Sequence, residues 1–358
     1  MANLMEYVKW RSDLTFKDNP LNIIDCLVFT QLIYMAQFDK VGQYPSNKVT
    51  RLEDIFNDIF EVKSPKDINV GLILPHDIVD LAYAIKNTNR YQNVYISNYI
   101  NYISKEKMCQ FSALCFHINE NDIVISFSGT DDTLIGWQEN LHMLNAFPIP
   151  SQNLAKKYVD KIIKLFPDSN IYIAGHSKGG NLAAYSAIYC KNENKEKVKQ
   201  VYCFDSPGFK KITINNSKYE LIKDKIINII PKSSVIGLVF TPFAGSTIIC
   251  DSSYKGLRQH DAFSWEVIQN RFVEVPEISK DALGFEIYLN GLINKLTEEQ
   301  INEFASNIYS FVVELNKDTL LEASKDYIRF VRLTNKITPY NRKLFMGLVV
   351  NLLKHKLL

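Results

Sequence analysis

Ile171-Tyr172-Ile173-Ala174-Gly175-His176-Ser177-Lys178-Gly179-Gly180-Asn181-Leu182-Ala183-Ala184 decides the fold of this 358-residue chain. An apolar run enters it, an alanine-rich run leaves it, and Gly-x-Ser-x-Gly lies between. A strand that turns directly into a helix through such a sequence forces the serine into a strained backbone conformation. The strain lifts its hydroxyl off the sheet edge. Gly175 and Gly179 sit where strand and helix come too close for a Cβ. The helix that follows aims its free N–H groups at the serine, where they favour a developing negative charge. Gly-x-Ser-x-Gly alone arises by chance in roughly one chain in ten of this length. The strand before it and the helix after it therefore carry the expectation that Ser177 is a nucleophile.

Outward from this turn, strands and helices alternate. Leu154–Leu165 reads as a helix ended by Phe166-Pro167-Asp168, and Asn181–Cys190 as another. Val201–Phe204, Ile226–Ile230 and Thr247–Cys250 read as strands. This alternation predicts a mostly parallel central sheet flanked by helices on both faces. Upstream, Val94–Ile103, Cys109–Ile118 and Ile123–Phe127, the last two joined by the turn Asn119–Asp122, suggest an antiparallel edge joined to that sheet. Residues 51–61 and 77–86 suggest short helices. Residues 1–38 carry apolar positions at helix spacing and are expected to form an N-terminal helical segment. Beyond residue 276 the chain turns to Leu, Ile, Lys, Glu and Asn at helix spacing. There Thr297 and Gln300 read as a capping box. The expected organisation is a sheet domain over 1–275 and a helical appendage over 276–358, packed on that domain or forming a lid.

A nucleophilic serine needs a base and an acid. In hydrolases built on such a turn the chain order is serine, acid, histidine. Of the six histidines, His176 is adjacent to the serine and points away from its hydroxyl. His76, His117 and His142 precede the turn, and His355 lies in the terminal helix. His260, on a loop after a late strand, is the expected base. Asp205, at the end of Val201–Phe204, is the expected acid, with Asp251 as the alternative. Asp224 precedes a strand and lies at the wrong edge, and Asp261 is too close to the histidine to face it. The oxyanion hole needs two donors. One is the backbone N–H of Lys178, after the nucleophile. The other falls on the loop after Ile123–Phe127, at Thr130.

These residues resemble a known family. Ser128-Gly129-Thr130-Asp131-Asp132 with Gly136-Trp137, followed by Gly175-His176-Ser177-Lys178-Gly179-Gly180-Asn181-Leu182-Ala183, resembles the class 3 (fungal-type) lipases. In those, an R-G-T or R-G-S loop supplies an oxyanion donor. The fit looks closer to a bacterial branch of lipase-like α/β-hydrolases. Trp10-Arg11-Ser12-Asp13, Phe204-Asp205-Ser206-Pro207-Gly208-Phe209 and the stretch Gln259 to Trp265 carry that likeness. The resemblance spans about residues 1 to 275 and implies an α/β-hydrolase fold with esterase or lipase-like activity. Two departures stand out. Ser128 replaces the usual arginine, and Ile230 to Gly237, where the class 3 acid lies, has no carboxylate. Either Asp205 supplies the acid, or the triad is incomplete and the chain is a non-catalytic relative that binds or scaffolds.

Composition narrows the remaining classes. A net charge of +2 with no basic stripe disfavours nucleic acid as a partner. The longest apolar stretch, Val235–Cys250, is too short for a membrane span and is broken by Pro242 and two glycines. Its first part, Val235–Phe243, suggests an apolar acyl group or core. The N-terminus lacks the apolar region of a signal peptide, which points to a soluble, cytoplasmic protein. Six scattered cysteines then read as buried free thiols. No Cys, His or carboxylate spacing fits zinc, so neither metal nor other cofactor is expected. The expected ligand is a small-molecule or lipid ester, with transient contact to a membrane surface.

Overall fold

The structure, a computed structural model, describes residues 2–355 except 36–37, 39, 71–73, 132, 145, 210–216, 241–244, 294, 298, 301–302, 305 and 308–337. Asp132, Pro242, Phe243 and much of the expected helical appendage thus lie outside the described residues. So does the side chain of Trp137.

In chain order the elements are α1 Leu4–Arg11, α2 Ile23–Leu32, β1 Thr50–Arg51, α3 Leu52–Val62, α4 Asp77–Ile85, β2 Tyr95–Ser104, β3 Cys109–His117, β4 Asp122–Phe127, α5 Leu134–His142 and α6 Pro150–Leu165. They continue with β5 Asn170–His176, α7 Lys178–Tyr189, β6 Val198–Phe204, α8 Ser217–Glu220, β7 Ile226–Pro231, β8 Ser246–Cys250, β9 Val267–Ile268, β10 Arg271–Phe272, α9 Lys280–Ile293 and α10 Pro339–Lys354. The eight strands β1 to β8 pair in sequence order into one sheet. β1 to β4 run antiparallel to their neighbours. From β4 to β8 every pairing is parallel.

Strand alternation divides the core in two. Leu114, Phe116 and Val124 face a cluster built with α1, α2 and α4, in which Leu27, Val28 and Phe29 are buried. Ala113, Cys115, Ile123, Ile125 and Phe127, one residue out of phase, face α6 and α7 through Val159, Ile162, Leu182 and Ala183. The period of two along each strand is thus read out as two buried faces. All six cysteines are buried free thiols within this core. Together these features are an α/β-hydrolase architecture: a mostly parallel sheet with helices on both faces and an antiparallel edge.

Local chemistry shifts several boundaries from those expected. The first 38 residues form two helices, because Asn19-Pro20 interrupts them and Asn22 with Asp25 closes a capping box that starts α2 afresh. α6 begins at Pro150, since proline at the first helical position arrives with its φ already set. α5 was not expected. Thr297 and Gln300 do form reciprocal backbone bonds, at 2.9 and 3.2 Å. α9 packs Ala282 against Ile230 and Leu238, and Phe285 against Val235, so it covers the end of β7.

A buried ion pair ties α2 to the connection between α4 and β2. Arg90 meets Asp25 through Nε–Oδ1 at 2.8 Å and Nη2–Oδ2 at 2.5 Å, both side chains fully buried. Asp25 Oδ1 also accepts from the hydroxyls of Tyr7 and Tyr91 at 2.8 and 3.1 Å. Removing one partner strands a charge in the core. Arg90→Met should cost about 3–5 kcal/mol in urea denaturation. A loss below about 1 kcal/mol would contradict the pairing.

Candidate active site

Ser177 stands between β5 and α7 at φ 58° and ψ −130°. Its N–H donates to the carbonyl of Phe204 at 2.9 Å and its carbonyl accepts from Gly180 N at 3.0 Å. A Cβ on Gly175 would lie 2.1 Å from the Gly179 backbone, and one on Gly179 2.2 Å from the Phe127 carbonyl. Both positions therefore require glycine, and the turn is held from β4 as well as from its own strand.

Register brings the next carboxylate alongside. His176 of β5 pairs with Phe204 of β6, so Ser177 and Asp205 leave adjacent strands at the same edge. Asp205 is fully buried at φ 42°. Its Oδ2 lies 2.7 Å from His260 Nδ1. Its Oδ1 accepts from the Ser234 hydroxyl at 2.5 Å and from Gly237 N at 3.1 Å. A Cβ on Gly237 would stand 2.5 Å from Oδ1, so glycine is needed for the carboxylate to reach. The stretch Ile230 to Gly237, which has no carboxylate, contributes a hydroxyl and an amide to hold Asp205.

His260 is placed by its neighbours. Gln259 accepts from Ser233 N at 2.6 Å through its side chain and from the Trp265 indole at 2.6 Å through its carbonyl. The His176 ring stacks on His260 at 4.6 Å, with its Nε2 2.9 Å from the His260 carbonyl. A carbonyl only accepts, so His176 carries its proton on Nε2. Burial, and then the neighbouring His260 imidazole, push the His176 pKa well below its usual value, so its ring is neutral. With Nδ1–H of His260 directed at Asp205, its Nε2 keeps a lone pair. The His260 side chain remains partly exposed. Asp251 lies elsewhere: its Oδ1 pairs with Lys232 at 2.5 Å. Asp261 caps the turn after it, accepting from Phe263 N at 3.0 Å.

The loop after β4 packs on the serine. A Cβ on Gly129 would lie 3.1 Å from the Ser177 Cβ and 2.9 Å from the His176 carbonyl. Gly129 N donates to the Tyr34 hydroxyl at 2.7 Å. Thr130 Oγ1 accepts from Asn140 Nδ2 at 2.5 Å, which ties the loop to α5. Lys178 holds a feature that sequence reasoning missed. Its side chain is only 1 % exposed and reaches Glu139 Oε2 at 2.9 Å and two oxygens of Gln110. Nothing in local sequence marks Lys178, Glu139 and Gln110 as partners, because they come from three separate elements. Among the described residues no group of three or more His, Cys, Asp or Glu could hold a metal. No described helix is long and apolar enough to cross a membrane.

The sheet order, the strained serine between parallel strand and helix, and a histidine against a buried carboxylate define an α/β-hydrolase. Within that class, the chain belongs to the Mbeg1-like family, which it matches over residues 85–310, well over half of its length. No curated protein matches it. Among solved structures it is similar to the Rhizomucor miehei lipase in its propeptide complex, at 15 % identity and TM-score 0.30. The match covers 41 % of this chain and about half, 51 %, of that one. It is also similar to a lipase from Yarrowia lipolytica, at 11 % identity and TM-score 0.34, covering 70 % of this chain and 96 % of that one. A mutant of MDLA from Penicillium cyclopium stands at 10 % identity and TM-score 0.39, covering 68 % and 95 %.

Gly175→Ala should lower the melting temperature by several degrees, because its Cβ meets backbone that cannot give way. An unchanged melting curve would contradict the close approach of strand and helix.

Proposed function

We propose that this protein is a serine hydrolase that cleaves carboxylic esters through an acyl-enzyme. The observation that carries the reading is the His260 Nδ1–Asp205 Oδ2 bond of 2.7 Å at the sheet edge where Ser177 stands strained. His260 Nε2 takes the Ser177 proton as the hydroxyl attacks the ester carbonyl. Asp205 holds the imidazole in the tautomer this requires and stabilises its charged form. The N–H groups of Thr130 and Lys178 receive the oxyanion. His260 then protonates the departing alcohol, and water, activated by the same ring, releases the acid. Each side-chain oxygen of Asp205 has its own partner, which supports an acid held in one orientation.

The substrate class proposed is an acyl ester, lipid or smaller. Six buried free thiols fit a reducing, cytoplasmic setting. Against a scaffolding role, the site keeps both the histidine and its carboxylate.

p-Nitrophenyl esters of increasing chain length, with a fluorophosphonate probe, test the reading. Wild type should be labelled and Ser177→Ala should not. Asp205→Asn should lower kcat by about 10⁴-fold, since the amide favours the wrong imidazole tautomer. Asp251→Asn should stay within about threefold of wild type, because it sits in a surface pair. Equal labelling of wild type and Ser177→Ala would sink the assignment.

A further inference from the structure

We propose that the Lys178 side chain is a positioning residue that aims the oxyanion hole, acting through Gln110; this rests on the hydrolase reading above. In a trans peptide the carbonyl and the following N–H point in opposite directions. Fixing the Gly129 carbonyl therefore fixes the direction of the Thr130 N–H, the proposed oxyanion donor. Gln110 Nε2 donates to that carbonyl at 3.3 Å. The Gly129 N–H is held on the other side by Tyr34 at 2.7 Å.

A glutamine amide is ambiguous, because oxygen and nitrogen have nearly the same shape. Lys178 removes the ambiguity. Its ammonium has only donors, and it lies 2.5 Å from the Gln110 side-chain oxygen. The amide oxygen must face the ammonium, and the NH₂ must face Gly129. Lys178 is held in turn by Glu139 Oε2 at 2.9 Å and by the Gln110 carbonyl at 2.8 Å. Glu139 is fully buried on α5 and also accepts from Gln110 N at 3.0 Å and Ser151 N at 2.9 Å. The chain of contacts runs from the residue after the nucleophile, through β3, to the loop that faces it. Both oxyanion donors are thus set by one residue: Lys178 supplies the first with its backbone and directs the second with its side chain.

The ion pair also supports the fold, so single removal of Lys178 mixes two effects. Gln110→Met separates them. It keeps the Lys178–Glu139 pair and the Gln110 backbone bonds, and removes only the amide relay. Its melting temperature should stay within about 5 °C of wild type. On p-nitrophenyl butyrate its kcat should fall by about 10- to 100-fold with KM little changed, the signature of an interaction made in the transition state. In a second variant, Lys178→Met with Glu139→Gln removes both charges together. It should recover most of the stability lost in Lys178→Met alone, yet keep the low kcat.

Recovery of kcat to within about threefold of wild type in either folded variant would overturn the proposal and leave the hydrolase reading standing. A wild type that neither hydrolyses esters nor takes the fluorophosphonate would overturn that reading, and this proposal with it.

Discussion

A serine holds φ 58° and ψ −130° only where the surrounding structure imposes it. Here the imposition comes from close packing. β5 and α7 approach until Gly175 and Gly179 nearly touch, and the Phe127 carbonyl at the end of β4 closes on Gly179. The parallel core strands set the rest. Because β4, β5 and β6 lie side by side, the loop after Phe127, the serine and Asp205 emerge at one edge. Had the strand order been different, the same residues would have left the sheet apart.

Around that edge, the buried charged side chains are partnered. Asp205 has three partners, from Ser234, Gly237 and His260. Lys178 and Glu139 satisfy one another and the backbone of β3 and α6. A buried charge is costly unless fully partnered, and a partly satisfied network is worse than an apolar one. These contacts hold the charged side chains in one arrangement, as preorganised donors to a developing charge would require.

Much of this was legible in the sequence. The elbow follows from local steric demands, so Gly175, Ser177 and Gly179 announce it. The parallel core follows from alternation of apolar strands with helices. The sequence also placed His260 and Asp205 by chain order, and the structure sets them 2.7 Å apart. It preferred Asp205 and kept Asp251 as the alternative, because that choice depends on which loop returns over the edge. The capping box at Asn22 and Asp25 starts the helix just where the apolar spacing Ile23 to Ile33 begins, so that spacing said nothing of the break before it. The Lys178, Glu139 and Gln110 set was invisible, since a lysine after a nucleophile reads as a solvated charge until tertiary contacts bury it.

The most direct measurement is a crystal structure of the protein after reaction with a p-nitrophenyl alkylphosphonate. The account predicts one covalent phosphorus on Ser177 Oγ, a phosphonyl oxygen about 2.7–3.1 Å from the N–H groups of both Thr130 and Lys178, and His260 still paired with Asp205. An adduct on another residue, or a phosphonyl oxygen on Ser177 turned away from both N–H groups, would contradict it.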